Sequence, residues 1–165
     1  MVAHKTFDHV EKEFGPLVRR IAISYEADRW LAEDLAQDIY CALWRALPTF
    51  RGQCSLRTFV ARVATNRAIS HVRRTARLPR SVELAEDFAN DGPTPEGNAM
   101  AQDQQLRLLA AVRSLPLSLR QVALLALEGL AIMEIADVMG ISANAVAIRM
   151  SRAKGLLRDH LGDDK

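Results

Sequence analysis

The sequence predicts an all-α protein: two small helical domains, residues 1–80 and 105–165, joined by an acidic flexible linker at residues 81–104. Three observations predict it. Apolar residues recur every third or fourth position through most of the 165 residues, and no segment alternates as a strand does. The stretch LPRSVELAEDFANDGPTPEGNAMAQD breaks that pattern and holds Gly92-Pro93 and Pro95, a linker composition. Charge is also sorted along the chain. Residues 1–44 carry 5 basic and 8 acidic side chains, residues 45–80 carry 9 arginines and no acid, residues 81–106 carry 6 acids and no base, and residues 107–165 carry 8 bases and 6 acids. The formal net charge of +2 conceals this sorting.

The elements follow in order. A first helix is expected from about Thr6 to Tyr25, with Gly15-Pro16 shortening or kinking it. A second runs from about Trp30 to Leu47 and stops at Pro48; its apolar ladder is Leu31, Leu35, Ile39, Leu43 and Leu47. Asp34, Gln37 and Asp38 share another face, with Glu33 beside them. After a loop from Pro48 to Cys54, Ser55 caps a long third helix that reaches about Arg77. Four shorter helices are expected beyond the linker, at about 103–114, 118–128, 132–139 and 143–160, separated by Pro116, Gly129 and Gly140.

Composition excludes several classes of function. No run of about eighteen apolar residues exists, so no membrane insertion is expected. The opening Met-Val-Ala-His-Lys lacks the apolar core of a signal peptide, and a cytoplasmic protein is expected. Cys41 and Cys54 are too few for a disulfide framework and are not spaced as a metal pair, and the four histidines are scattered. Cys41 is expected to pack against a neighbouring helix, and Cys54 to sit in a loop. There is no phosphate loop and no nucleophile–base–orienter set, so neither an enzyme, a metal nor a cofactor is expected.

Two segments carry the functional signal. In IMEIADVMGISANAVAIRMSRAKGLL, Ala136, Gly140 and Val146 have helix-turn-helix spacing. A small Ala136 lets two helices cross closely, Gly140 permits the positive backbone angle of the turn, and Val146 anchors the second helix on the first. Ser142 occupies the N-cap position. With Val146, Met150, Ala153 and Leu157 inward, the outward residues are Asn144, Ala147, Ile148, Ser151, Arg152 and Lys154, with Arg149 at the margin. A helix placed this way enters the major groove of DNA, where arginine reads guanine and asparagine reads adenine. The other segment is the third helix. Phe59, Arg62, Asn66, Ser70, Arg73 and Arg77 form one stripe, an aromatic with an amide and guanidiniums, which suits a single strand of nucleic acid. An arginine block without acids would repel itself unless it met a polyanion.

The runs AEDLAQDIYCALWRALPTF and SLRTFVARVATNRAISHVRR resemble domain 2 of the extracytoplasmic-function sigma factors of bacterial RNA polymerase. The run SLPLSLRQVALLALEGLAIMEIADVMGISANAVAIRMSRAKGLL is similar to their domain 4, and together the matches cover about two-thirds of the chain. The resemblance implies a promoter-recognition factor that catalyses no reaction, associates with the nucleoid in holoenzyme, and is held inactive by an anti-sigma protein. It implies that Asp34, Gln37 and Asp38 dock on the β′ clamp helices of core polymerase, with the β subunit as a further contact. It also implies that Arg51, Phe59, Arg62, Asn66, Ser70, Arg73 and Arg77 open and read the −10 element of promoter DNA. Ser142, Asn144, Ala147, Ile148, Arg149 and Arg152 would face the −35 element. The chain departs from the family pattern at Phe59 (usually tryptophan), Ser70 (usually aspartate), and Ala147 and Ile148 (usually lysine and serine). The last two make the DNA-facing helix more apolar, and Ile148 is placed to meet a thymine methyl. Two other readings stand beside this one. An ordinary helix-turn-helix repressor leaves the first half of the chain without a task, and a protein-binding helical adaptor leaves the arginine block unexplained.

Overall fold

The computed structural model describes residues 2–78 and 99–162, with side chains from residue 7 onward, and every element in it is a helix. Helix α1 spans Val2–Tyr25, α2 Arg29–Ala46, α3 Leu56–Thr75, α4 Ala99–Ser114, α5 Leu117–Leu127, α6 Ile132–Met139 and α7 Ala143–Gly162. A short 3₁₀ turn, Leu47–Thr49, follows α2 where Pro48 ends it.

Helix α1 begins earlier than expected and runs unbroken through Gly15-Pro16. Proline removes the hydrogen bond to the carbonyl four residues back, here that of Lys12. Both Pro16 and Lys12 lie on the exposed side of α1. Gly15 faces inward, where an added Cβ would stand 3.2 Å from the Tyr40 hydroxyl of α2. Gly15 thus lets α1 and α2 approach closely, and Pro16 does not shorten the helix. Asp28 caps α2 by accepting from the Leu31 N–H at 2.9 Å, and Ser55 caps α3 by accepting from the Thr58 N–H at 3.0 Å.

Val10, Leu17, Val18 and Ile21 from α1 meet Leu35, Ile39 and Leu43 from α2 and Val60, Ala64 and Ala68 from α3. Leu31, expected on this ladder, remains half-exposed at the start of α2. Cys41 does not pack against a neighbouring helix; it is exposed, because it lies on the side of α2 opposite Ile39 and Leu43. The second half closes around Val122, Leu125, Ile135, Val138 and Val146, with a further cluster of Leu115, Leu119, Ala123 and Ala153. The linker expected at 81–104 lies outside the described residues as far as residue 98. Residues 99–104 are already helical, as the first turns of α4.

The halves pack directly on each other. Leu124 of α5 joins the first core, and Ala61 of α3 is buried in the second. Polar contacts ring this seam. Arg20 of α1 donates two hydrogen bonds to the Glu128 carboxylate, at 2.7 and 2.8 Å. Arg57 donates to the Glu128 backbone carbonyl, and the Thr58 hydroxyl donates to Glu134 Oε1 at 3.2 Å. Arg113 Nε donates to the Ile23 carbonyl at 2.7 Å, and the Arg120 guanidinium lies over the Tyr25 ring, 5.7 Å from its centroid.

Candidate nucleic-acid interface

The turn between α6 and α7 is built as its residue types require. Gly140 adopts the left-handed conformation, φ 65° and ψ 35°, and its N–H donates to the Ala136 carbonyl. This αL C-cap ends α6 within eight residues. Ser142 Oγ accepts from the Ala145 N–H at 3.1 Å and so starts α7. Val146 is fully buried and Ala136 nearly so, which fixes the crossing of the two helices. Glu134 Oε2 takes the Ala131 N–H at 2.7 Å, closing the N-terminus of α6. The outer face of α7 then presents Asn144, Ala147, Ile148 and Arg152 to solvent, with Arg149 half-buried at its margin. Among the described residues neither Arg149 nor Arg152 makes an ion pair. Ile148 is 48% exposed, an apolar group in the middle of a polar face.

On α3, Asn66, Ser70 and Arg73 lie exposed in line, with Arg77 exposed in the turn just beyond its end and Arg51 exposed in the preceding loop. Ser70 donates to the Asn66 carbonyl at 3.0 Å, so its hydroxyl is turned onto the helix. Phe59 and Arg62 are half-buried. One side of Phe59 rests on the first core and another on Phe50, with ring centroids 4.8 Å apart. Phe50 was not read from the sequence; it forms the loop side of the same aromatic step. Arg62 Nε is buried without a hydrogen-bond partner.

The arginine block is less isolated than its sequence suggests. Asp38 of α2 receives Arg67 at 3.2 Å and Arg74 at 3.8 Å, both from α3. Sequence reasoning missed this because the acid lies outside the block, on the neighbouring helix. Arg73, Arg77 and Arg51 make no ion pair among the described residues, and they supply the free positive charge of this surface. Burial lowers the pKa of Arg113 and of Arg120, and the Glu128 hydrogen bond raises that of Arg20; all three belong to the seam.

Asp34 and Gln37 are exposed on α2, while Asp38 is partly covered by its arginine partners. Beside Gln37, a groove of about 420 Å³ between α1 and α2 is lined by Phe7, Tyr40, Cys41 and Trp44. Trp44 is 52% exposed there and Trp30 is 70% exposed at the start of the helix. Large exposed aromatics on an acidic face fit a protein partner. The structure therefore separates three surfaces: the outer face of α2, the stripe on α3 and the outer face of α7. Among the described residues no three His, Cys, Asp or Glu side chains gather as a metal site, and no helix is long and apolar enough to cross a membrane.

Comparison with known proteins places the two halves separately. Sigma-70 region 2 matches residues 12–78, and Sigma-70 region 4 matches residues 105–157. The RNA polymerase sigma factor CnrH of Cupriavidus metallidurans is 30% identical, over 93% of this chain and 89% of its own. The ECF RNA polymerase sigma-E factor of Escherichia coli K12 is 30% identical, over 73% of this chain and 69% of its own. Among solved structures, CnrH in complex with the cytosolic domain of CnrY superposes with a TM-score of 0.71 at 23% identity, covering 98% of this chain and 91% of that one. The sigma factor RpoE of Bartonella quintana, in complex with the anti-sigma factor NepR, gives 0.71 at 22% identity, covering 98% and 99%. At these identities the structural likeness establishes the fold.

Proposed function

This chain belongs to the extracytoplasmic-function group of the sigma-70 family of transcription-initiation factors, and we propose how its surfaces divide that task. Residues 1–80 hold core RNA polymerase and the opened −10 element, and residues 105–165 read the −35 element, with 81–104 between them. Asp34, Gln37 and Asp38, with Trp44 beside them, form the polymerase-docking face. Arg51, Phe59, Arg62, Asn66, Ser70, Arg73 and Arg77 hold the unpaired strand. Ser142, Asn144, Ala147, Ile148, Arg149 and Arg152 line the major groove.

The observation that carries this reading is the turn at Gly140. It presents an exposed recognition face on α7, while Arg73 on α3 and Arg77 just beyond its end make no ion pair among the described residues. One surface suits duplex DNA and the other suits exposed bases. A repressor needs only the first. The chemistry of both surfaces is recognition, so we assign the chain no catalytic step. Two neighbours in fold were solved with protein partners, one of them an anti-sigma factor, and we place this chain under the same kind of control. It acts in the cytoplasm and reaches the nucleoid in holoenzyme.

Run-off transcription with purified core polymerase on a promoter library tests the reading. Sequence-selective transcripts are expected only when the chain is present. Tight binding to a duplex site without polymerase, and no transcript with it, would instead favour the repressor.

A further inference from the structure

We infer that Ile148 selects thymine at one position of the −35 element by taking the 5-methyl group of that base out of water. The inference rests on the assignment of α7 to the −35 duplex. Ile148 is 48% exposed and, among the described residues, joins neither core cluster of the second half. Val146 and Ala153 of the same helix are fully buried. Ile148 lies about 160° around α7 from Val146, on the face turned away from the protein. Asn144, one turn before it, and Arg152, one turn after it, are exposed on that same side. A single exposed apolar residue is ordinary on a protein surface and carries no meaning by itself. Its depth along the helix supplies the meaning. Helix α7 begins at Ala143, behind the Ser142 cap, so Ile148 sits in its second turn. The first turns of such a helix are the part that reaches base edges. Leu156 and Leu161, the other large apolar residues exposed on α7, lie in its second half.

The chemistry of the groove decides which base suits this side chain. Guanine offers two acceptors there, cytosine an amino donor, and adenine one of each; thymine adds a methyl group beside its one acceptor. A polar edge pressed against Ile148 would give up water and receive no hydrogen bond in return. The thymine methyl, alone among the major-groove groups of the four unmodified bases, gains from the contact. Ile148 thus favours thymine and penalises the alternatives, and specificity depends on both. Ala147, exposed beside it, ends in a methyl group and supplies no hydrogen bond that would restore the balance. Burying one methyl group changes affinity about fourfold, which is the size of the preference this contact can create.

Holoenzyme made from the full chain and purified core polymerase selects promoters from a library randomised across the −35 region. The same selection is run with Ile148→Ala, Arg149→Ala and Arg152→Ala. The wild type should enrich thymine at a position where Ile148→Ala shows no such preference. On the selected promoter each −35 thymine is then replaced in turn by deoxyuridine, which keeps the base pair and loses the methyl. At that one position the replacement should weaken closed-complex formation by wild-type holoenzyme about fourfold and leave Ile148→Ala holoenzyme unaffected. A wild-type complex indifferent to uracil at every position overturns the inference. An equal uracil penalty in Ile148→Ala also overturns it, since another residue then reads the methyl. So does an Ile148→Ala chain that loses transcription while keeping its base preferences, which marks a protein contact. A preference altered by Arg149→Ala or Arg152→Ala and untouched by Ile148→Ala overturns this inference alone. If the wild type shows no −35 preference, or none of the three variants alters it, the assignment of α7 to the duplex fails and the reading of thymine falls with it.

Discussion

Replacing Gly140 isolates the backbone contribution to the DNA-reading half. Its φ of 65° lies in the left-handed region, and a Cβ built there meets nothing within 4 Å. An alanine therefore causes no clash, and the whole cost is the left-handed conformation, about 1–2 kcal/mol. Asparagine tolerates that region through local hydrogen bonds and should cost less. Valine should cost more than alanine, because its branched Cβ crowds the backbone. For a chain of this size, each kcal/mol lowers the melting temperature by roughly 2–4 °C. Urea denaturation of the four proteins, followed by circular dichroism, gives the order Gly, Asn, Ala, Val. An alanine variant as stable as the wild type would refute the claim that this turn needs a positive φ. An asparagine variant as costly as valine would show that space, not backbone conformation, sets the cost.

The other predictions concern the seam and the docking face. Tyr25 is 6% exposed with a hydroxyl that finds no hydrogen-bond partner, and burial pushes its pKa far above the ordinary tyrosine value of 10.0. Tyr25→Phe should be neutral or stabilising at pH 7, by up to about 1 kcal/mol, because no bond is lost. The folded state keeps this phenol neutral while the unfolded chain ionises. Stability from it is complete below pH 10.0 and falls as pH rises towards the raised value, so Tyr25→Phe should lose less stability between pH 9 and pH 11 than the wild type. Equal losses, measured by urea titration across that range of about two units, would count against this burial effect. Asp34→Arg should abolish co-purification with core polymerase and leave helical content unchanged. Asp38→Arg should do the same but also loosen α3 from α2, seen as a lower melting temperature, since it frees Arg67 and Arg74. Wild-type core affinity in the Asp34 variant would place the docking face elsewhere.

Much of this was legible because it is local. The Leu35–Ile39–Leu43 ladder, the Ser55 and Ser142 caps and the Gly140 turn each depend on residues within a few positions of one another, and all stand as the spacing predicts. The exposure of Cys41 also followed from its angle to that ladder, though it was read as packed. The seam was not legible. Arg20 and Glu128 are 108 positions apart, and nothing in the sequence around either marks them as partners. Leu124 and Ala61 each join the core of the opposite half, and periodicity shows that a face is buried and not what buries it. The arginine block misled in one respect, since the acid that neutralises part of it lies before the block, on α2. Pro16 misled in another. Its cost depends on whether the freed carbonyl reaches water, which only the fold decides.

The division of labour between the two halves is tested most directly by transcription from intact and pre-melted templates. Phe59→Ala and Asn66→Ala should spare initial promoter binding by holoenzyme but leave promoter thymines unreactive to permanganate. Stacking on an exposed base is worth roughly 1–3 kcal/mol only once the base has left the duplex. Arg149→Ala and Arg152→Ala should weaken the first complex by about 1–3 kcal/mol each, with relaxed preference at one base pair. Pre-melting the −10 region is therefore predicted to restore transcription to the Phe59 and Asn66 variants and to do little for the Arg149 and Arg152 variants. Equal rescue of both pairs, or no defect in either, would contradict the assignment of strand opening to α3 and duplex reading to α7.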